Sequence, residues 1–326
     1  VHRKTLVIVT PALASANNGN WQTARRWASL LRPAYRVCLT DRWEAGGGTD
    51  ADMLVALHAR RSAAAVRAWR EAHPDRPVVL VLTGTDLYRD IVVDEEAQRS
   101  LGQADALVAL NELGPLSLPV GMRSKACVIL QSCPARRPVA KPRRHLRALM
   151  VGHLREEKDP ETWWRAVDRL AARTDMRFDH IGAALDPRLG AQAQALAARV
   201  PTFRWHGGLP HGAVRRHIQC AHVLVHASRM EGGAHVVIEA IRSGTPVLAS
   251  RIDGNVGLVG HDYPGLFEPG DDAALAALLV RVRDDADMLP RLAALLAPRA
   301  PLFAPEAERA ALHRLVGGLL ARPSTG

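Results

Sequence analysis

Short, wholly apolar runs recur along the first part of the chain, with amphipathic stretches between them. TLVIVT (5–10), RVCLTD (36–41), MLVALH (53–58), PVVLVLT (77–83), ADALVAL (104–110) and ACVILQS (126–132) read as strands. Between the first two, Trp21, Ala24, Trp27 and Leu31 keep a three-to-four spacing that predicts a helix from about Asn20 to Leu31. SAAAVRAWREAH predicts another after the third run. Runs that are apolar on every residue belong to strands buried on both faces. Their alternation with helices predicts a parallel sheet covered on both sides.

The texture changes at PARRPVAKPRRHLR (134–147), where prolines and arginines crowd out apolar residues, as in a linker. The alternation then restarts. ALMVGHL, MRFDHIG, TFRWHG, HVLVHAS and PVLAS read as strands, and DPETWWRAVDRLAAR as a helix with Asp159 at its N-cap and Pro160 at its first position. The pattern predicts an α/β protein of two Rossmann-like domains facing across a cleft. We place an N-terminal domain at 1–137, a linker at 138–147, a second domain at 148–303, and at 304–326 a helix able to pack back on the first domain.

A chain of 326 residues suits two cores. The hydrophobic fraction of 48% and charged fraction of 23% are those of a globular protein. No apolar run reaches the length of a membrane span and no cleavage pattern follows TLVIVT, so the cytoplasm is the expected address. Cys38, Cys127, Cys133 and Cys220 are scattered and read as reduced thiols. The net charge of +10 invites a nucleic-acid reading, but only four of the 43 basic residues are lysine, which is a compositional bias. Acids are interspersed and aromatics are only 4%, so neither a basic stripe nor a stacking platform stands out, and no nucleic-acid partner is expected.

The residues with chemistry cluster in the second half. In HVLVHASRMEGGAHVVIEAIRSGTPVLAS, Glu231 follows a strand and Glu239 lies in the helix behind a Gly-Gly-Ala turn, at the carboxyl end of an open sheet where ligands bind. Upstream, VGHLREEKDPET brings His153, Arg155 and Lys158 to a short strand-to-helix loop, and cations beside helix amides suit a diphosphate. Neither half carries G-x-G-x-x-G or G-x-x-x-x-G-K-[ST], which argues against nicotinamide, flavin and P-loop chemistry. Asp50-Ala51-Asp52 mimics a D-x-D metal motif but reads as a turn cap. His217, Cys220, His222 and His226 lack a recognised ligand spacing, so no metal or other cofactor is expected.

VGHLREEK followed by EGGAHVVIE and SGTPVLAS resembles the donor half of a GT-B glycosyltransferase of the retaining family 4 type. The resemblance implies a UDP-sugar co-substrate. Lys158 would hold its diphosphate, Glu231 and the amides after it the sugar hydroxyls, and Glu239 the ribose hydroxyls. It implies catalytic roles for Lys158, Glu231, His153 and Asp86, and a donor site of Glu239, Lys158, Arg155, Gly232, Gly233, Ala234, His235 and Leu209. Two departures stand out: His153 replaces the family's arginine, and GNVGLVGHDYPGLF replaces its Pro-Glu segment.

With Thr83 in TGTD, NNGNW in the first loop and VILQS closing the first domain, these departures resemble the selenosugar synthases of selenoneine biosynthesis, which join UDP-N-acetylglucosamine to selenophosphate. The residues are compatible with that acceptor. A hydroxyl nucleophile calls for a base, for which the first domain offers only Asp86 and His58, whereas a selenophosphate selenium is already anionic and needs positioning. Asn18, Gly19, Asn20, Thr85 and Asp86 are the expected acceptor contacts, with Arg25 and Arg26 nearby. The alternative left open is a family 4-type enzyme acting on a lipid or polysaccharide hydroxyl at a membrane surface, without stable insertion. The oligomeric state is not legible.

Overall fold

The computed structural model describes residues 3–11, 19–46 and 50–321, which divide into two compact units. The first contains residues up to Ser132 together with the chain from Ala304 onward. The second is Cys133–Phe303.

In the first unit, β1 (Thr5–Val9), β2 (Arg36–Thr40), β3 (Met53–Leu57), β4 (Val78–Leu82), β5 (Ala106–Ala109) and β6 (Ala126–Val128) form one parallel sheet in the order β2-β1-β3-β4-β5-β6. Every residue of β1, β3, β4 and β5 is buried, as expected of strands covered on both faces. On one face Trp69, Val66 and Leu101 pack over Val7, Leu54 and Leu80. On the other, Trp27 and Leu31 of the helix Gly19–Leu31 pack over Leu6, Ile8 and Leu57.

The helix Pro305–Leu320 adds Leu312, Val316 and Leu319 to that second face. Its Glu308 is fully buried and accepts hydrogen bonds from Trp27 Nε1 (2.8 Å), Arg26 Nε (2.9 Å) and the Ser132 amide (2.9 Å). A buried carboxylate is tolerated only with such a complete set of donors.

In the second unit, β7 (Leu146–Val151), β8 (Met176–Ile181), β9 (Phe203–Trp205), β10 (Val223–His226), β11 (Val247–Ser250) and β12 (Leu266–Phe267) form another parallel sheet, in the order β12-β11-β10-β7-β8-β9. The chain builds outward from β7 to β9, then returns to pair β10 on the other side of β7. That reversal leaves a crevice beyond the carboxyl ends of β7 and β10, where ligands of open α/β sheets bind. The helix Pro160–Arg169 follows β7, capped by Asp159, which accepts from the Thr162 amide and hydroxyl (3.3 and 2.8 Å).

The Pro- and Arg-rich segment before β7 is exposed and carries no helix or strand, but it is tied down. The Arg136 amide donates to Arg242 O (2.9 Å), Gln219 Nε2 to Arg137 O (2.7 Å) and His222 Nε2 to Pro142 O (3.0 Å). The four cysteines are free thiols. Among the described residues no helix is long and apolar enough to cross a membrane.

Candidate active site

In the second unit the topological switch brings the loop after β7 against the loop after β10. The Lys158 ammonium is hydrogen-bonded to Glu231 Oε1, and the same oxygen lies 3.2 Å from Nε2 of His226, the last residue of β10. Burial by itself would push the Glu231 carboxyl up. The Lys158 charge beside it and the His226 hydrogen bond outweigh burial and hold it well below the usual carboxylate range. His226 is fully buried, and burial lowers its own pKa, so the imidazole is neutral and donates from Nε2.

Two close backbone approaches shape these loops. A Cβ on Gly254 would stand 1.9 Å from the Glu231 carbonyl, and one on Gly182 would stand 1.8 Å from the Gly152 carbonyl. Glycine is therefore required at both. Gly254 and Asn255 lie in the first turn of the short helix Asp253–Val259, which brings Gly254 against the backbone of Glu231.

The diphosphate-loop candidates separate. Lys158 is largely buried and points at Glu231, whereas Arg155 is exposed, its Nε 4.0 Å from Glu157. His153 Nδ1 accepts from the Ala183 amide (3.1 Å), and burial together with Arg155 and Lys158 lowers its pKa, so it is a neutral ring that leaves Nε2 for another partner. Behind the loop, Trp164 Nε1 donates to His180 Nδ1 (3.2 Å) and His180 Nε2 donates to the Gly152 carbonyl (3.1 Å). Full burial brings His180 down to about 4 and keeps this relay neutral. A further tie joins the two loops, the Arg229 amide donating to Glu157 O (2.9 Å).

Glu239 is buried in the helix His235–Ile241. Its Oε1 lies 2.6 Å from His211 Nε2, 3.7 Å from His235 Nε2 and 3.9 Å from an Arg215 guanidinium nitrogen. Gly232, Gly233 and Ala234 form the turn before that helix, and Leu209 lies half-buried in the loop leading to His211. Sequence reasoning did not find His226, His211, Arg215 or His180. The available signal was a histidine closing the apolar strand run VLVH, and another opening a helix just after GGLP.

In the first unit, Asp86 is fully buried. One oxygen accepts from the Ala59 amide (2.9 Å), the other from the amides of Thr83 and Gly84 (2.8 and 3.0 Å) and from the Thr83 hydroxyl (3.2 Å). These donors come from its own loop and from the loop after β3, so Asp86 ties the two loops together. His58, held at φ +75°, is buried with Nε2 at 3.1 Å from Thr85 Oγ1, and burial lowers its pKa.

Gly19 and Asn20 begin the first helix, while Asn18 lies outside the described residues. Arg26 is held by Glu308 and Arg25 is exposed. The Asp50 and Asp52 carboxylates pair with Arg76 and Lys4, and among the described residues no group of three or more metal-ligating side chains converges. The tempting His217, Cys220, His222 and His226 do not come together: His222 pins Pro142, and His226 meets Glu231.

Residues 134–294 match the family model described as Glycosyl transferases group 1. Among solved structures the chain is similar to sucrose-phosphate synthase from Thermosynechococcus elongatus, at 18% identity over 98% of this chain and 100% of that one, with a TM-score of 0.80. It is also similar to Anabaena HepE in complex with UDP and glucose (15% identity, 97% and 100% covered, TM-score 0.76). A third is the lipopolysaccharide outer core galactosyltransferase WaaB in its apo form (15%, 97% and 99%, TM-score 0.72).

Proposed function

We infer that this chain, which has the GT-B fold and whose residues 134–294 form a group 1 glycosyl transferase domain, transfers a sugar from a nucleotide sugar. We propose that the donor is a UDP-sugar, UDP-N-acetylglucosamine in the first instance, and that the acceptor is selenophosphate. In this reading Lys158 neutralises charge on the departing diphosphate, with neutral His153 as a hydrogen-bond donor beside it. Glu231 and the Gly232–Ala234 turn take the sugar hydroxyls, and Glu239 takes the ribose hydroxyls. A selenium lone pair forms the C–Se bond at the anomeric carbon as the C–O bond to UDP breaks, and UDP leaves with that electron pair.

For the donor, support comes from the pairing of Lys158 with Glu231 at the carboxyl-end crevice, and from HepE, a protein of the same fold solved with UDP. The acceptor reading rests on one observation. The two groups of the first unit read as general bases, Asp86 and His58, are buried and engaged, Asp86 by the amides of Thr83 and of Ala59 on the neighbouring loop and His58 by the Thr85 hydroxyl. A nucleophile that is already anionic needs no base. Gly19, Asn20 and Thr85 remain as acceptor contacts, and no metal is needed in this scheme.

The test is an acceptor screen that follows UDP release. Turnover should require selenophosphate and yield a selenium-bearing sugar by mass spectrometry. Turnover with a lipid or saccharide hydroxyl and none with selenophosphate would overturn the acceptor assignment while leaving the glycosyl transfer intact.

A further inference from the structure

A cavity of about 480 Å³ opens in the second unit between the segment entering β7 and the end of the helix Asp272–Asp284. Lys141, Arg143, His145, His222 and Arg283 line it. It sits at the amino ends of β7 and β10, whereas Lys158 and Glu231 lie beyond their carboxyl ends, about 17 Å away along a strand the length of β7. It is therefore separate from the donor site.

Its lining carries more cations than carboxylates. Asp285 is the one acidic lining residue, and one of its oxygens is taken by the Asp287 amide (2.9 Å). Arg283 is paired with Asp175 (2.7 Å), but among the described residues the guanidinium groups of Arg143 and Arg144 meet no carboxylate. Lys141 is the telling residue. Of the four lysines, Lys4 reaches Asp52, Lys125 reaches the carbonyls of Gly102 and Ala104, and Lys158 reaches Glu231. The Lys141 side chain is half-buried, and its ammonium has no oxygen partner among the described residues. A cation of the cavity lining that no acidic side chain pairs is open to an anion from solution.

The rim is also fixed in place. His222 accepts the Arg147 amide at Nδ1 (2.9 Å) and donates to Pro142 O, while the Arg283 guanidinium holds the carbonyls of Arg143 and Arg144 (3.3 Å each). Neutral His222, brought down to about 4 by burial, serves this pinning role, so the basic segment is presented on a set backbone.

We propose that this cavity is a binding site for a phosphate-bearing anion, with Lys141 and Arg143 as its direct contacts. An ammonium and a guanidinium carried by residues that line one cavity suit the charge and the oxygens of a phosphate. The volume lies within the range of ligand sites and exceeds what a bare phosphate fills, so it accommodates the phosphate together with an attached polyol. A soluble phosphorylated sugar and a phospholipid headgroup share that chemistry.

Calorimetric titration of the full chain with inorganic pyrophosphate tests the soluble source. Cosedimentation with phosphatidylcholine vesicles, with and without phosphatidylglycerol, tests the lipid source. Lys141→Gln with Arg143→Gln should weaken pyrophosphate binding, or binding to the anionic vesicles, by about tenfold or more. Arg99→Gln with Arg309→Gln, an equal charge loss in the first unit, should leave both unchanged. Pyrophosphate bound at the Lys158 loop is recognised by its loss in Lys158→Met. Sugar transfer should be unaffected by the cavity variants. If both readouts match wild type in the double variant, or if the control pair lowers them equally, the proposal is wrong. Should Lys141→Gln fail to fold, the single variant Arg143→Gln decides between the same outcomes.

Discussion

Replacing Lys158 by methionine keeps most of the side chain but removes its charged end, leaving the Glu231 carboxylate against His226 alone. Removing one member of a fully buried ion pair costs about 3–5 kcal/mol, and of an exposed pair about 0–1 kcal/mol. The side chains of Lys158 and Glu231 are 18% and 11% exposed, which places this pair between the limits, at about 1–3 kcal/mol. The pH dependence identifies the cause. In the wild type the Glu231 carboxyl lies below its unfolded value, so its contribution is fully present above that value and is lost as pH falls toward the folded one. In Lys158→Met burial is left to dominate and lifts the folded pKa above the unfolded value, so this carboxyl destabilises at neutral pH and is relieved as pH falls. The difference between the two proteins is therefore largest near neutrality and shrinks through the ordinary carboxylate range, near pH 4–5. Urea denaturation of wild type, Lys158→Met, Glu231→Gln and the double variant at neutral and mildly acidic pH measures it. A coupling energy near zero, or a destabilisation that is the same at both pH values, would refute the argument that these two groups compensate each other.

Glu239→Ala should weaken UDP binding by tenfold or more, since each ribose hydroxyl loses an acceptor of about 1.5–3 kcal/mol; unchanged affinity by calorimetry in a folded variant removes Glu239 from the donor site. Gly254→Ala should abolish UDP binding without unfolding the protein, because the new Cβ would stand 1.9 Å from the Glu231 carbonyl and the loop must move. Gly212→Ala, which meets nothing within 4 Å, should bind UDP as wild type does.

Much of the fold is legible as pattern. Strands apolar on every residue can only be interior to a covered parallel sheet, and helices with capping residues announce their first turns, as Asp159 and Pro160 do. Glu231, Glu239 and Lys158 are legible for a related reason: glycines and charges interrupt the hydrophobic periodicity where a strand ends, and strand ends are where open sheets bind ligands. Periodicity reports which residues are buried, but carries no information about which buried residues meet. Lys158 and Glu231 lie 73 residues apart, yet their side chains meet because β10 pairs with β7 rather than with β9, its predecessor in the chain. Asp86 reads as a loop acid and candidate base, and pattern gives no sign that four donors enclose it, from the turn at Thr83–Thr85 and from the amide of Ala59. The segment 134–147 has the composition of a linker, and only its bonds to His222, Gln219, Arg242 and Arg283 make it the wall of a charged cavity. Local chemistry thus determined the elements and the residues able to act. Strand order and long-range hydrogen bonding decided which charges are paired, which are engaged in holding loops, and which are left facing open space.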